Sequence, residues 1–202
     1  MKINLILLAA GNSTRYGSNK LINTKQGKPM VSLILDTIIK AQKFYIENQD
    51  KKHSWNQIIV VTQYEEVVTI AKQFQQANLI IVRNSSPNIG ISHSIKLGIQ
   101  NGSCDVDGYC FAVCDQPFLT SETYKKLVNA YVKQQGIIVV KANNQKGNPV
   151  IFDKKYKQEL LQLQGDIGGK QIINKYPHDI TWINIENKQE LVDIDIPEDW
   201  RR

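Results

Sequence analysis

Residues Leu8-Ala9-Ala10-Gly11-Asn12-Ser13-Thr14-Arg15-Tyr16-Gly17-Ser18-Asn19-Lys20 join a backbone that can approach a ligand to two cations. Arginine offers a fixed bidentate fork and lysine a mobile point charge, so Arg15 and Lys20 could bracket a polyphosphate. The stretch is not a Walker A loop, because Lys20 is separated from Gly17, and it lacks G-x-G-x-x-G. A solvated polar loop with incidental charges is the competing reading. Farther on, Asn84 to Ile95 contains Asn88, Gly90, Ser92, His93 and Ser94. Gly90 permits close backbone approach, and Ser92 or Ser94 is placed to open a helix as its cap. Hydroxyls at a helix N-terminus suit a base edge or a phosphate, although plain capping accounts for either serine alone.

Carboxylates form the third and fourth clusters. Asp115 follows an apolar run in Val113-Cys114-Asp115-Gln116-Pro117. An acid at the end of a buried strand is costly unless it meets a cation, and Mg²⁺ takes one or two protein carboxylates. Asp115 could also cap the following helix, but Thr120 and Ser121 are better placed. Asp193 and Asp195, in Leu191-Val192-Asp193-Ile194-Asp195-Ile196-Pro197-Glu198-Asp199, would share one face of an extended segment. They repel unless solvated or metal-bound, and alone they read as an acidic tail. Gly147-Asn148-Pro149-Val150 and Gly165-Asp166-Ile167-Gly168-Gly169-Lys170 are turn-rich loops with no self-evident chemistry.

These clusters need elements to position them. Apolar runs at Met1–Ala9, Ile58–Val61, Leu79–Val82, Tyr109–Cys114 and Ile137–Val140 read as strands without polar alternation. Helical periodicity covers Val31–Tyr45, Glu65–Gln75, Ser92–Gln100 and Thr120–Gln134. Beyond Lys146 the pattern loosens into a strand near Pro149–Phe152, a helix near Lys154–Leu163 and a strand at Thr181–Ile185. Strands separated by helices predict a parallel sheet covered on both faces, a three-layer α/β/α sandwich. Ligands of such sheets sit beyond the strands' carboxyl ends, where the first three clusters would converge.

The 202 residues, 42% hydrophobic, suit one domain over 1–202. The formal charge is +6, with 12 basic and 5 acidic residues in the first hundred positions. That half is expected to hold an anion. A nucleic-acid partner is not expected, because the basic residues lack interleaved aromatics. No membrane span is expected either: Ile3–Ala10 is too short, and Gly11 stops it as it would a buried strand. Cys104, Cys110 and Cys114 lack metal spacing, and an odd count without a secretory leader predicts a cytoplasmic setting.

In this order the segments resemble the MobA-like nucleotidyltransferase family, most closely its molybdenum cofactor cytidylyltransferase branch. The motifs are L-A-A-G-x-S-x-R-x-G-x-x-K at Leu8–Lys20, G-x-S-x-S-I at Gly90–Ile95, D-Q-P at Asp115–Pro117, G-N-P-V at Gly147–Val150, G-D-x-G-G at Gly165–Gly169 and D-I-D-x-P-E-D at Asp193–Asp199. They span nearly the whole chain. The resemblance implies a Rossmann-like, mostly parallel sheet of the nucleotide-diphospho-sugar transferase type. It implies transfer of CMP from CTP to the phosphate of a molybdopterin-type acceptor, with Mg²⁺ as cofactor. Leu8, Ala9, Ala10, Gly11, Asn88, Gly90, Ser92 and Ser94 would bind the nucleotide. Arg15 and Lys20 would hold the triphosphate and act in catalysis with Asp115. Asp115 and Asp195, with Asp193, would bind metal, and Gly147, Asn148 and Asp166 would face the acceptor. Ala10 matches the cytidine-using branch; guanylyl-using relatives tend to carry L-A-G-G. GTP, a sugar phosphate or phosphocholine are alternative substrates. A molybdoenzyme would receive the product, and a non-catalytic cofactor-delivery protein is the alternative of a different class. Tyr16 in place of Met would reshape the pocket rim, and Ile196 in place of Thr would loosen the turn that aims Asp195.

Overall fold

The computed structural model describes residues 1–13, 16–47, 55–76, 78–143 and 145–201. Strand β1 (Ile3–Ala9) lies between β4 (Trp55–Thr62) and β6 (Gly108–Val113), parallel to both. Strand β5 (Leu79–Arg83) extends the sheet beside β4. On the other side come β8 (Gln145–Asp153), β7 (Ile137–Ala142) and β9 (Ile180–Asn184), giving the order β5-β4-β1-β6-β8-β7-β9. Strands β2 (Thr24–Lys25) and β3 (Lys28–Pro29) form a separate small hairpin.

Apolar character without alternation follows from burial on both faces. In β1, Ile3, Leu5, Leu7 and Ala9 join one core, and Ile6 joins the other. The first core is closed by α1 (Met30–Glu47), α2 (Glu65–Lys72) and α4 (Ser121–Lys133) through residues such as Leu35, Val67 and Leu127. The second is closed by α3 (Ile91–Asn101), α5 (Lys157–Gln162) and α6 (Lys170–Lys175) through Ile95, Leu160 and Ile172. The three-layer, mostly parallel sandwich expected from the sequence is the observed architecture.

Three details differ from the sequence reading. Strand β8 runs antiparallel to both β6 and β7, because only two residues separate Ala142 from Gln145. A parallel neighbour would need a crossover of a dozen residues or more. Helix α3 begins at Ile91 with Gly90 as its cap, so Ser92 and Ser94 lie inside it and are buried. Strand β8 takes in Gly147 and Asn148, read as part of a turn-rich loop, because Gly147 pairs with Val140 of β7, while helix α6 starts at Lys170, the last residue of the other stretch read as loop.

The end of the chain is tied to the start of α4. Glu190 is buried and accepts from Thr120 N–H, Thr120 Oγ1 and Thr123 Oγ1 at 3.0, 3.0 and 2.6 Å. Thr120 Oγ1 itself accepts from Thr123 N–H, the expected N-cap. A carboxylate at a helix N-terminus also meets the positive end of the helix dipole. Glu190→Ala is therefore expected to cost about 2–3 kcal/mol, the scale of hydrogen bonds to a charged group. Urea denaturation checks this, and an unchanged midpoint would refute it.

Candidate active site

Loops after β1, β5 and β6 meet at one edge of the sheet and enclose a cavity of about 670 Å³. Leu8, Ala9, Ala10, Gly11, Lys20, Asn88, Gly90, Ser94 and Asp115 all line it. The two principal loops touch through Asn12 Nδ2, which donates to Asn88 Oδ1 at 3.4 Å. Ser94 Oγ accepts from the buried Asn84 side chain at 3.0 Å, and Asn84 Oδ1 in turn holds Ser86 N–H at 2.9 Å. Ser92 is not part of the lining: it is 1% exposed and lies beneath the surface of α3. Arg15 lies outside the described residues.

The start of α3 is not open to a phosphate. Ser92 N–H donates to Gly165 carbonyl at 3.2 Å, and Ile91 N–H donates to Asp166 Oδ1 at 3.4 Å. This clasp makes Gly165 and Asp166 walls of the first cavity, so Asp166 is not beside Gly147 and Asn148 as expected. Those two residues line a second cavity of about 540 Å³. It shares Leu8, Ile91 and Val113 with the first and has an apolar floor that includes Phe111, Val139 and Phe152. Lys146, Lys170 and Asn174 add polar groups to its lining.

Charge is concentrated at the Lys20 end of the first cavity. Asn19 caps a short 3₁₀ helix over Lys20–Ile22 and fixes where the lysine starts. Its Nζ lies 3.0 Å from Asp115 Oδ2 and 3.1 Å from Asp195 Oδ1. Burial opposes the Lys20 charge, but the two carboxylates outweigh it and hold the ammonium above its usual pKa. Asp115 is reached because Ile194 N–H donates to its carbonyl at 2.9 Å, stitching the two acidic segments together. Asp193 turns aside: its Oδ1 accepts from Gln116 Nε2 at 2.9 Å. Burial raises its pKa, and the charge of Asp115 raises it further.

The match that assigns a family covers residues 5–180 and is to the MobA-like NTP transferase domain. The chain belongs to this family. A nucleoside triphosphate is thus its substrate and nucleotidyl transfer its activity. No curated protein sequence matches this MobA-like chain. Among solved structures it is similar to Rv0371c from Mycobacterium tuberculosis H37Rv, at 18% identity and TM-score 0.78 over 99% of this chain and 96% of that one. Rv0371c has also been solved in complex with manganese. A nucleotidyl transferase from Methanothermobacter thermautotroptrophicus, Mth528, aligns at 17% identity and TM-score 0.76 over 99% and 94% of the two chains. CMP:2-keto-3-deoxy-manno-octonic acid synthetase, complexed with CTP, aligns at 12% identity and TM-score 0.74 over 100% and 96%. At these identities the likeness establishes a shared fold.

The acids of this MobA-like enzyme suit a divalent cation by number and type. Three carboxylates, Asp115, Asp193 and Asp195, influence one another around a single ammonium, so the negative charge is in excess. Asp115 and Asp195 share contact with one Nζ, which places two hard oxygen donors together, the number Mg²⁺ usually takes from protein. Among the described residues no three acidic, imidazole or thiol groups form a closed metal cluster, which distinguishes this pair from an all-protein cage.

One supporting residue stands inside a motif without having been assigned a role there. Asp199 is buried, and its Oδ2 accepts from Asp195 N–H at 2.9 Å and Ile196 N–H at 3.0 Å. Its carboxylate holds the turn that Ile196 was expected to loosen. Asp199→Ala is expected to weaken metal-dependent activity about 10–100-fold, as loss of a group behind a metal ligand does. Titration of activity with Mg²⁺ checks this: the half-maximal concentration should rise, and an unchanged one refutes the role. Tyr16 lines neither cavity; its hydroxyl accepts from Trp200 Nε1 at 3.3 Å. Cys110 and Cys114 are buried, and burial pushes both thiols up, away from nucleophilic use.

Proposed function

We propose that the enzyme transfers CMP from CTP to the phosphate of a molybdopterin-type molybdenum cofactor, releasing pyrophosphate. The observation that carries this reading is the pair of adjoining cavities with a common Leu8–Ile91–Val113 wall and the Lys20–Asp115–Asp195 cluster at the first. Such an arrangement suits a nucleotide in one cavity and an acceptor in the other. Ala10 within L-A-A-G supports cytidine. The apolar floor of the second cavity, with lysines and asparagines in its lining, supports a ring-bearing anionic acceptor over a polyol. A cytoplasmic setting agrees with three free thiols, and no described helix is long and apolar enough to cross a membrane.

In the reaction an acceptor phosphate oxygen attacks the α-phosphorus of CTP in line. A new P–O bond forms as the α–β bridge breaks, and pyrophosphate leaves. Such transfer needs alignment and charge neutralisation rather than a covalent nucleophile. Lys20, kept charged by its two acids, lies against the triphosphate. Gly147 and Asn148 border the acceptor. Asp115 and Asp195 would hold Mg²⁺, which when bound neutralises charge on the phosphate oxygens. Asp193, tied to Gln116, supports this pair from behind.

The test is Mg²⁺-dependent pyrophosphate release from CTP, GTP, ATP and UTP, with and without molybdopterin. Release from CTP that requires molybdopterin is expected. Release from GTP but not CTP overturns the cytidylyl assignment, and indifference to molybdopterin overturns the acceptor.

A further inference from the structure

Two residues outside every motif hold the base-facing loop. Gln63 and Tyr64 directly follow β4. Gln63 Nε2 donates to Ala10 carbonyl and to Asn12 Oδ1, both at 3.0 Å. Tyr64 hydroxyl donates to Gly11 carbonyl at 2.7 Å. Ala10, Gly11 and Asn12 line the first cavity, but Gln63 and Tyr64 do not. The two carbonyls therefore aim at groups outside the cavity. In a trans peptide the C=O of one residue and the N–H of the next point in opposite directions.

We propose that Gln63 and Tyr64 are positioning residues that set pyrimidine selectivity by holding these carbonyls away, leaving the Gly11 and Asn12 N–H groups to face the base. This rests on the first cavity being the nucleotide site. Two successive donors match N3 and O2 of cytosine, which are adjacent acceptors. Uracil carries an N–H at position 3, so it sets a donor against a donor. Guanine's Watson–Crick edge likewise presents two donors beside one acceptor. A site whose donors are fixed rejects an isostere strongly, because the mismatched group is left unpaired. Without the Gln63 amide or the Tyr64 hydroxyl the peptides can turn and offer a carbonyl, which uracil can use.

The experiment measures dissociation constants of CTP, UTP and inorganic tripolyphosphate, with Mg²⁺, for the parent, Gln63→Leu and Tyr64→Phe. Tyr64→Phe removes a single oxygen from a half-buried side chain, so it keeps the test clear of unfolding. Each variant is expected to lower the CTP-over-UTP preference by about tenfold, the equilibrium effect of one hydrogen bond. Tripolyphosphate binding should stay unchanged, which a general loosening of the fold would not allow. Selectivity unaltered in both variants overturns the inference and leaves the cytidylyl reading standing. A parent that binds UTP as tightly as CTP overturns both.

Discussion

Lys20→Ala should lower kcat by about 1,000-fold, the scale on which a charge aimed at a transferring phosphate acts, while the protein stays folded. The lysine side chain is 11% exposed and its ammonium contacts both acids at the edge of the first cavity. Its loss leaves Asp115 and Asp195 facing each other. They are 29% and 43% exposed, so water can solvate them, and the stability cost is held to about 1 kcal/mol. Asp115→Ala removes the opposite partner and should lower kcat on the same scale. Steady-state pyrophosphate release alongside a thermal melt separates the two effects. Near-normal turnover in either folded variant would remove the cluster from the reaction.

Gly90→Ala should be the most damaging single methyl group in the molecule. Gly90 has φ 101° and ψ 179°, a region that side chains avoid at a cost of roughly 1–3 kcal/mol. A Cβ there would also lie 2.4 Å from both the carbonyl carbon and oxygen of Gly165 and 2.7 Å from Asp166 nitrogen. These are backbone atoms, so the whole 165–166 loop must move. Moving it frees Ile91 and Ser92 N–H from their acceptors and opens one wall of the nucleotide cavity. A loss of about 3 kcal/mol or more is expected, together with weaker CTP binding. Denaturation and CTP titration check the two parts. A variant with parental stability and affinity would show that the clasp yields freely.

The sequence marks the residues around the first cavity more fully than those around the second. Strands β1, β4, β6 and β7 are buried apolar runs, and such runs are legible because both faces need the same residue types; β5, at the sheet edge, is apolar but mostly half-buried. The direction of β8 is not carried by its own composition. It follows from the short connection after Ala142, which excludes a crossover. Ser92 has the residue type of a cap, yet the actual cap is Gly90, because the approach of Gly165 leaves no room for a side chain there. Lys20, Asp115 and Asp195 lie far apart in sequence, and only the resemblance joined them before the structure did. Gln63 and Tyr64 were within reach of the strand-end argument, since they directly follow β4. Glu190 acts on groups about seventy residues away, and no residue-type pattern announces a partner so distant, whereas Asp199 caps a turn three and four residues before it and stands within D-I-D-x-P-E-D.

The antiparallel β8 divides the sheet into parts with separate obligations. From β5 to β6 the strands run in parallel, and the loops after β1, β5 and β6 supply most of the nucleotide cavity. Strands β7 and β8, with the loop into α6, supply much of the second cavity, proposed above for the acceptor. The compartments meet at three hydrophobic side chains, and the Gly165–Asp166 loop and the segment carrying Ile194 and Asp195 reach back across. Selection for a new acceptor can thus act on one block of sequence while the nucleotide chemistry of the other remains under constraint. In engineering terms, the reversed strand is the seam at which one transferase core can be refitted.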